Sequence, residues 1–427
     1  HTVARRGMVM QLRKGRPMNS DTELWRGFSR RRALQVGGAG LATTLVGLGS
    51  ATARRAEDVT PETAAAEQFS PQRQLALTDI VLSALAETST PGALVGVWYP
   101  GQGDWTIAAG IGDLETAAPM RLDDHVRIAS ITKTFVATVV LQLVDEGMLS
   151  LDDRLEPFIT GIPNGDEITI RQLLNMTAGI YSYINDPVIA VDYDRDPLLP
   201  FIPEQAVEIV RAHGEADFPP GTRSQYSDTN YILLGLIIEQ VTGRSVAAEI
   251  AERIIVPLGL TQTSFAATPE MPDPYAHGYA VDHVGAPLRD VTRSNPDVAW
   301  AAGAMISTMD DLRVWVDALV AGSLLSPSLQ AERLAIEEWR SEPVRVGYGL
   351  GILEIGGLLG HNGGIMGYGS WMMHDPETGA TLVVVTNQGS TTGGIASVII
   401  FGEITDLLFP DRGFASLVPP SIATPTP

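Results

Sequence analysis

The sequence predicts an α+β fold: an antiparallel sheet flanked by helices and built from both ends of the chain, plus a mostly helical insertion. Three observations lead there. Strand-like runs occur early, at 93–99 and 105–109. They return only from Tyr348 onward, at 348–355, 367–374 and 381–386. Between 151 and 298, apolar residues at helical spacing alternate with Pro/Gly/Asp loops, and strand patterns are scarce. The sheet region is therefore expected over 71–150 and 299–412, and the helical insertion over 151–298.

Before this body, residues 1–53 read as an export signal. Ser29-Arg30-Arg31-Arg32-Ala33-Leu34 resembles the twin-arginine pattern, an apolar run follows, and Ala51-Thr52-Ala53 offers a cleavage site. The apolar run is shorter than the roughly 20 residues of a membrane span. Residues 54–70 read as a linker. A helix is expected over 71–87, then the hairpin 93–109 turning at Pro100-Gly-Gln-Gly-Asp104.

The next stretch, Arg127 to Gly147, organises the chain. Phe135, Val136, Val139, Val140 and Leu143 fall on one face of a helix, and Gly147 supplies a stop. Ser130 stands where a helix opens, a position a plain N-cap would also fill. Lys133 lies one turn on, on the same side. The chain has only one other lysine, Lys14; every other basic side chain apart from the histidines is arginine. Arginine cannot release its proton in a protein, whereas a desolvated lysine can. A lone lysine beside this serine points to an amine needed in its neutral form.

The insertion carries helical patches at 170–176, 203–213, 231–241 and 246–255. A capped helix follows over 308–319, then the late strands, a helix over 395–408, and a tail over 413–427 expected to be disordered.

Composition narrows the function. Of 427 residues, 44% are apolar and 19% charged, enough for a large core, and the formal net charge of −21 argues against a nucleic-acid partner. There is no cysteine, hence no thiol nucleophile or zinc-thiolate site. The histidines are scattered without metal-ligand spacing, so neither metal nor cofactor is expected. No G-x-S-x-G elbow or phosphate-cradling loop is present. No segment after the signal is long and apolar enough to span a membrane.

Two further stretches stand out. Pro220 to Tyr231 places Tyr226 in a loop before a helix, and Leu358 to Gly367 places His361 at the end of a strand among glycines. Each could be structural: a core phenol, a satisfied turn histidine.

Taken in order, Ser130-x-x-Lys133, Tyr226-Ser227-Asp228 and His361-Asn362-Gly363 resemble the three signature elements of the penicillin-recognising serine hydrolases, in the branch of class C β-lactamases, D-alanyl-D-alanine carboxypeptidases and related esterases. The resemblance runs from about Pro91 to Leu408 and includes Leu141–Gly147, Leu173–Gly179 and Gly347-Tyr-Gly-Leu-Gly351. It implies a β-lactamase/transpeptidase-like fold and a Ser130 nucleophile that forms an acyl-enzyme. Lys133 and Tyr226 would share base and acid duty, with the choice of base left open. The backbone N–H groups of Ser130 and Gly364 would hold the oxyanion. Supporting roles fall to Asp228 and His361, the latter as a donor or partial positive charge, and substrate contacts to Asn362 and Gly363. Trp300 and Tyr181 are read as aromatics that either contact substrate in the cleft or pack in the core, with neither reading preferred.

Departures from the pattern bear on substrate. Asp228 stands where many relatives have asparagine, and could pair with Lys133. Asn362 replaces a threonine. The 349–354 strand lacks an arginine for a terminal carboxylate and carries Glu354 instead. The expected activity is D-alanyl-D-alanine carboxypeptidase-like hydrolysis of cell-wall peptides. The alternatives are an esterase or amide hydrolase, a class C β-lactamase, and a non-catalytic penicillin-binding sensor. The partner is then a peptide, β-lactam or ester small molecule; the oligomeric state is left open.

Overall fold

The computed structural model describes residues 68–193, 195–281, 286–389 and 395–417. The expected signal (1–53), the linker up to residue 67 and residues 418–427 lie outside the described residues.

Nine strands form the main sheet: β1 (Gly92–Tyr99), β2 (Gly103–Asp113), β3 (Ala118–Pro119), β4 (Glu337–Arg340), β5 (Val346–Tyr348), β6 (Leu353–Ile355), β7 (Leu358–Ile365), β8 (Tyr368–His374) and β9 (Thr381–Thr386). Their order is β3-β2-β1-β9-β8-β7-β6-β5-β4, with antiparallel pairing throughout. The first and last long strands are therefore neighbours: Ala93 pairs with Thr386 and Trp98 with Thr381. The helices used below are α1 (Pro71–Thr88), α2 (Thr132–Asp145), α3 (Ile170–Leu174), α4 (Pro203–His213), α5 (Asp228–Thr242), α6 (Met309–Ala321) and α7 (Ile395–Leu408).

Alternation along β8 shows how the sheet is covered. Trp371 and His374 point to opposite faces because successive strand side chains alternate. Trp371 stacks on Phe401 of α7 at 4.1 Å. His374 bonds Asp317 of α6 at 2.9 Å. Helices thus lie on both faces, which is why β1, β8 and β9 are buried nearly without interruption. Helix α2 is buried along almost its whole length, and Phe135 stacks on Trp315 of α6 at 4.2 Å.

Several expectations shift. The run expected as one strand over 348–355 is two strands. Gly349 N–H donates to the Ile352 carbonyl, and Gly351 takes φ +75°, folding the chain back between β5 and β6. His361 sits in the middle of β7 rather than at a strand end. Helix α5 opens at Asp228, three residues earlier than its apolar pattern suggests. Residues 68–70 are not linker: Phe69 is buried and Ser70 caps α1. The tail also begins later than 413, because Phe414 and Leu417 are buried in a short 3-10 turn, with Phe414 edge-on to Phe401. The described residues of 151–298 hold α3 to α5, shorter helical turns and three two-residue strands.

Candidate active site

The chain enters the site through Ile128, whose N–H donates to Met305 O at 3.0 Å. Ala129 then takes φ +51°, a left-handed conformation costly for a residue with a side chain. A 3-10 turn over Ala129–Ile131 follows, and α2 continues from it. Neither turn nor helix is capped by a side chain. The Ser130 hydroxyl is thus not employed as an N-cap, and the plain structural role open to it in the sequence does not apply.

Instead Lys133 Nζ lies 2.9 Å from Ser130 Oγ. The same nitrogen donates to Asp228 Oδ1 at 2.7 Å and to the Ala302 carbonyl at 2.7 Å. Three partners around one amine suit both of its protonation states. An ammonium donates to all three; a neutral amine donates to Asp228 and Ala302 and turns its lone pair to Ser130 Oγ–H. The Lys133 side chain is 0% exposed. Burial pulls its amine below the ordinary lysine range, and the Asp228 carboxylate opposes that pull.

Tyr226 comes from the segment leading into α5. Its ring centroid lies 5.0 Å from Lys133 Nζ, and its hydroxyl interacts with Ser130. Burial, reinforced by Asp228, pushes the phenol well above its ordinary range, so it rests protonated. Asp228 is fixed by its backbone N–H, which donates to Ser182 Oγ at 3.1 Å.

The glycine-rich strand β7 closes the other side. Gly363 packs directly beneath the serine turn: a Cβ there would meet Ile128 O at 2.4 Å, Ser370 Oγ at 2.5 Å and Ala129 Cβ at 3.0 Å. Gly364 is exposed, with open space where a side chain would stand. Asn362 is half-buried beside it.

His361 departs from expectation. It is 1% exposed, and burial together with Lys133 pushes its pKa down to about 3. Its Nε2 faces the Tyr348 hydroxyl at 2.8 Å, and its Nδ1 faces the Asn362 carbonyl. A carbonyl only accepts, so Nδ1 carries the proton and Nε2 accepts from Tyr348. His361 brings no positive charge to the site. Tyr348 interacts in turn with Tyr231, whose hydroxyl donates to Leu174 O at 3.1 Å. The turn after Tyr348 fits only glycine at 351, where a Cβ would lie 2.1 Å from Ala137 Cβ of α2.

Two candidate substrate contacts are engaged elsewhere. Trp300 is 9% exposed, and its indole edge packs against α5 at Gly235. Tyr181 stacks on His213 of α4 at 3.9 Å. Glu354 is also accounted for: it accepts from Gly357 N–H at 2.7 Å and lies 3.6 Å from Arg345. No sequence pattern marks the Ala302 carbonyl, since a backbone acceptor can belong to any residue. Tyr348 was visible only as a tyrosine between two glycines. Among the described residues no His/Cys/Asp/Glu cluster could hold a metal, and no single helix is long and apolar enough to cross a membrane.

Comparison with known proteins agrees with this geometry. The chain superposes on a D-stereospecific amidohydrolase from Streptomyces sp. with TM-score 0.70 and 36% identity, covering 77% of this chain and 98% of that one. It superposes on the D-amino acid amidase of Ochrobactrum anthropi SV3 with TM-score 0.67 and 26% identity, covering 80% and 98%. In sequence it is 28% identical to a D-aminopeptidase of Brucella anthropi over 302 residues, which make up 70% of this chain but 56% of that protein's length. It is 27% identical to penicillin-binding protein 4* of Bacillus subtilis (strain 168), over 71% of this chain and 70% of the relative. The Beta-lactamase family model matches residues 77–396, and the chain belongs to that family, whose members include serine hydrolases.

Proposed function

We propose that the chain is a serine amidohydrolase that cleaves amide bonds on the carbonyl side of D-configured amino-acid residues. One observation carries the reading: a single buried amine touches Ser130, Asp228 and Ala302 O while a protonated phenol stands over it. That arrangement can take a proton from the serine and return one to a leaving amine. The D-specific names of three relatives supply the stereochemistry.

In this reading Ser130 Oγ attacks the amide carbonyl and its proton passes to neutral Lys133. Tyr226, whose phenol stays protonated, serves as proton donor to the leaving nitrogen rather than as the resting base. The oxyanion is held by the N–H groups of Ser130 and Gly364. The amine departs, and water clears the acyl-enzyme by the reverse transfers.

A second reading, D-alanyl-D-alanine carboxypeptidase, draws on the penicillin-binding relatives. It needs a cation for the substrate's terminal carboxylate. The cation seen within the centre, Lys133, has all its positions taken, which favours the first reading. Turnover of D- and L-alaninamide, set against release of D-alanine from a diacyl-D-Ala-D-Ala peptide, tests the two. Cleavage of the diacyl peptide with no turnover of D-alaninamide would overturn the amidase reading. We also propose export by the twin-arginine route, on the pattern Ser29–Leu34; Arg30→Lys with Arg31→Lys should retain the protein in the cytoplasm.

A further inference from the structure

We propose that Asp228 receives the free α-ammonium group of the substrate, and that the arriving positive charge switches Lys133 to its neutral, base-competent form. The inference rests on the amidohydrolase reading and names the recognition chemistry of the same site.

Asp228 Oδ1 is taken by Lys133, but no described residue donates to Oδ2. The Asp228 side chain is 14% exposed, against 0% for Lys133. The carboxylate therefore bonds the buried amine through one oxygen, while its side chain reaches solvent where the amine does not. Its backbone is held by Ser182, so it presents that second oxygen from a fixed position. Ser130 and Asp228 are both direct partners of one nitrogen. An acyl group on Ser130 carries its α-nitrogen two bonds beyond the carbonyl carbon, on the scale that separates these two side chains. A carboxylate oxygen only accepts, so it selects a donor there, and an ammonium is the strongest one an amino-acid substrate has.

The coupling follows from charge. Protonated Lys133 and Asp228 form a neutral buried pair. An ammonium arriving at Oδ2 is a second cation against the same carboxylate, and burial already disfavours the charge on Lys133. Lys133 then gives up its proton to solvent, and its lone pair is free for the Ser130 hydroxyl. A substrate without that ammonium leaves Lys133 charged more of the time.

The test uses three matched p-nitroanilides, of D-alanine, N-acetyl-D-alanine and propionic acid, with wild type and Asp228→Asn. Wild type should prefer the free amine by about 30-fold in kcat/KM, the size expected of a charge-assisted hydrogen bond. The preference should fade above about pH 8, where an α-amine loses its proton. The acid limb of kcat should lie lower for the free amine than for the N-acetyl substrate. In Asp228→Asn the preference should shrink to within about 3-fold and the two limbs should coincide. Equal proportional losses on all three substrates would reduce Asp228 to a holder of Lys133 and overturn the proposal. If the variant does not fold, by circular dichroism, wild type alone decides: equal kcat/KM for the D-alanine and propionyl compounds overturns it. Lack of Ser130 acylation by p-nitrophenyl acetate in wild type would instead sink the amidohydrolase reading beneath it.

Discussion

The Tyr348 hydroxyl donates to His361 Nε2 at 2.8 Å, and this one bond decides what His361 is. With Nδ1–H committed to the Asn362 carbonyl, both ring nitrogens are occupied in the neutral tautomer. The imidazole then acts as a rigid spacer between the Tyr348 hydroxyl and strand β7, which carries Gly363 and Gly364. Removing the donor in Tyr348→Phe should free Nε2 to take a proton. We expect a fall of about tenfold in kcat/KM, and an acid limb displaced to lower pH, because a His361⁺ beside Lys133 disfavours the ammonium. A pH–rate profile checks it; an unshifted limb would show that the hydroxyl only fills space.

The same histidine makes the fold sensitive to acid. Its ordinary pKa of 6.5 is depressed to about 3 in the native protein. An unfolded chain therefore binds a proton that the folded one refuses between those values. The stability tied to neutral His361 is complete above pH 6.5 and drains away as pH falls toward 3, at about 1.4 kcal/mol per pH unit. His361→Gln should flatten that part of the curve. Urea melts of both proteins from pH 7 to 4 measure the slopes, and equal slopes would show that native His361 takes up the proton.

Lys133→Arg keeps a cation but removes the removable proton. Acylation of Ser130 by a fluorescent penicillin or an activated ester should fall by about 10³-fold or more. Wild-type kcat/KM should decline toward acid as Lys133 becomes protonated, with a limb below the ordinary lysine value of 10.5. Because Asp228 raises that amine, Asp228→Asn should move the limb for an uncharged ester substrate to still lower pH. A limb that moved upward would contradict the assignment of Lys133 as base.

Gly363→Ala tests the contact between β7 and the serine turn. The added methyl must displace the Ile128 carbonyl, which is backbone, and the Ser370 hydroxyl that donates to it. We expect about 1–3 kcal/mol lost from stability and a larger proportional loss of acylation, since Ser130 lies two residues from Ile128. Gly364→Ala, with open space at its Cβ, should leave stability nearly unchanged. Equal melting temperatures for wild type and the Gly363 variant would refute the close packing.

Much of this was legible beforehand, for identifiable reasons. Ser130 and Lys133 are three residues apart on one helical path, so their meeting is local geometry. The strands at 93–99 and 381–386 read correctly because burial on both faces makes them apolar throughout. The paired glycines at 349 and 351 hid a turn inside an apolar run, and β5 and β6 merged. The charge state of His361 is not legible in the sequence, because a histidine's charge is set by what surrounds it. An aromatic ring alone does not tell cleft from core for Trp300; Gly235 on α5, which leaves room for that ring, is 65 residues away in the chain.

The pairing of β1 with β9 has a consequence for the making of the protein. Among the described strands of the main sheet, the first to emerge from the ribosome waits for the last before its inner edge is covered. A chain that stops before Thr381 would leave β1 and β8 each with a bare row of amides, ready to join a stranger. Unfinished copies should therefore aggregate instead of persisting as partly working enzyme, and the fold itself checks that translation has run its course.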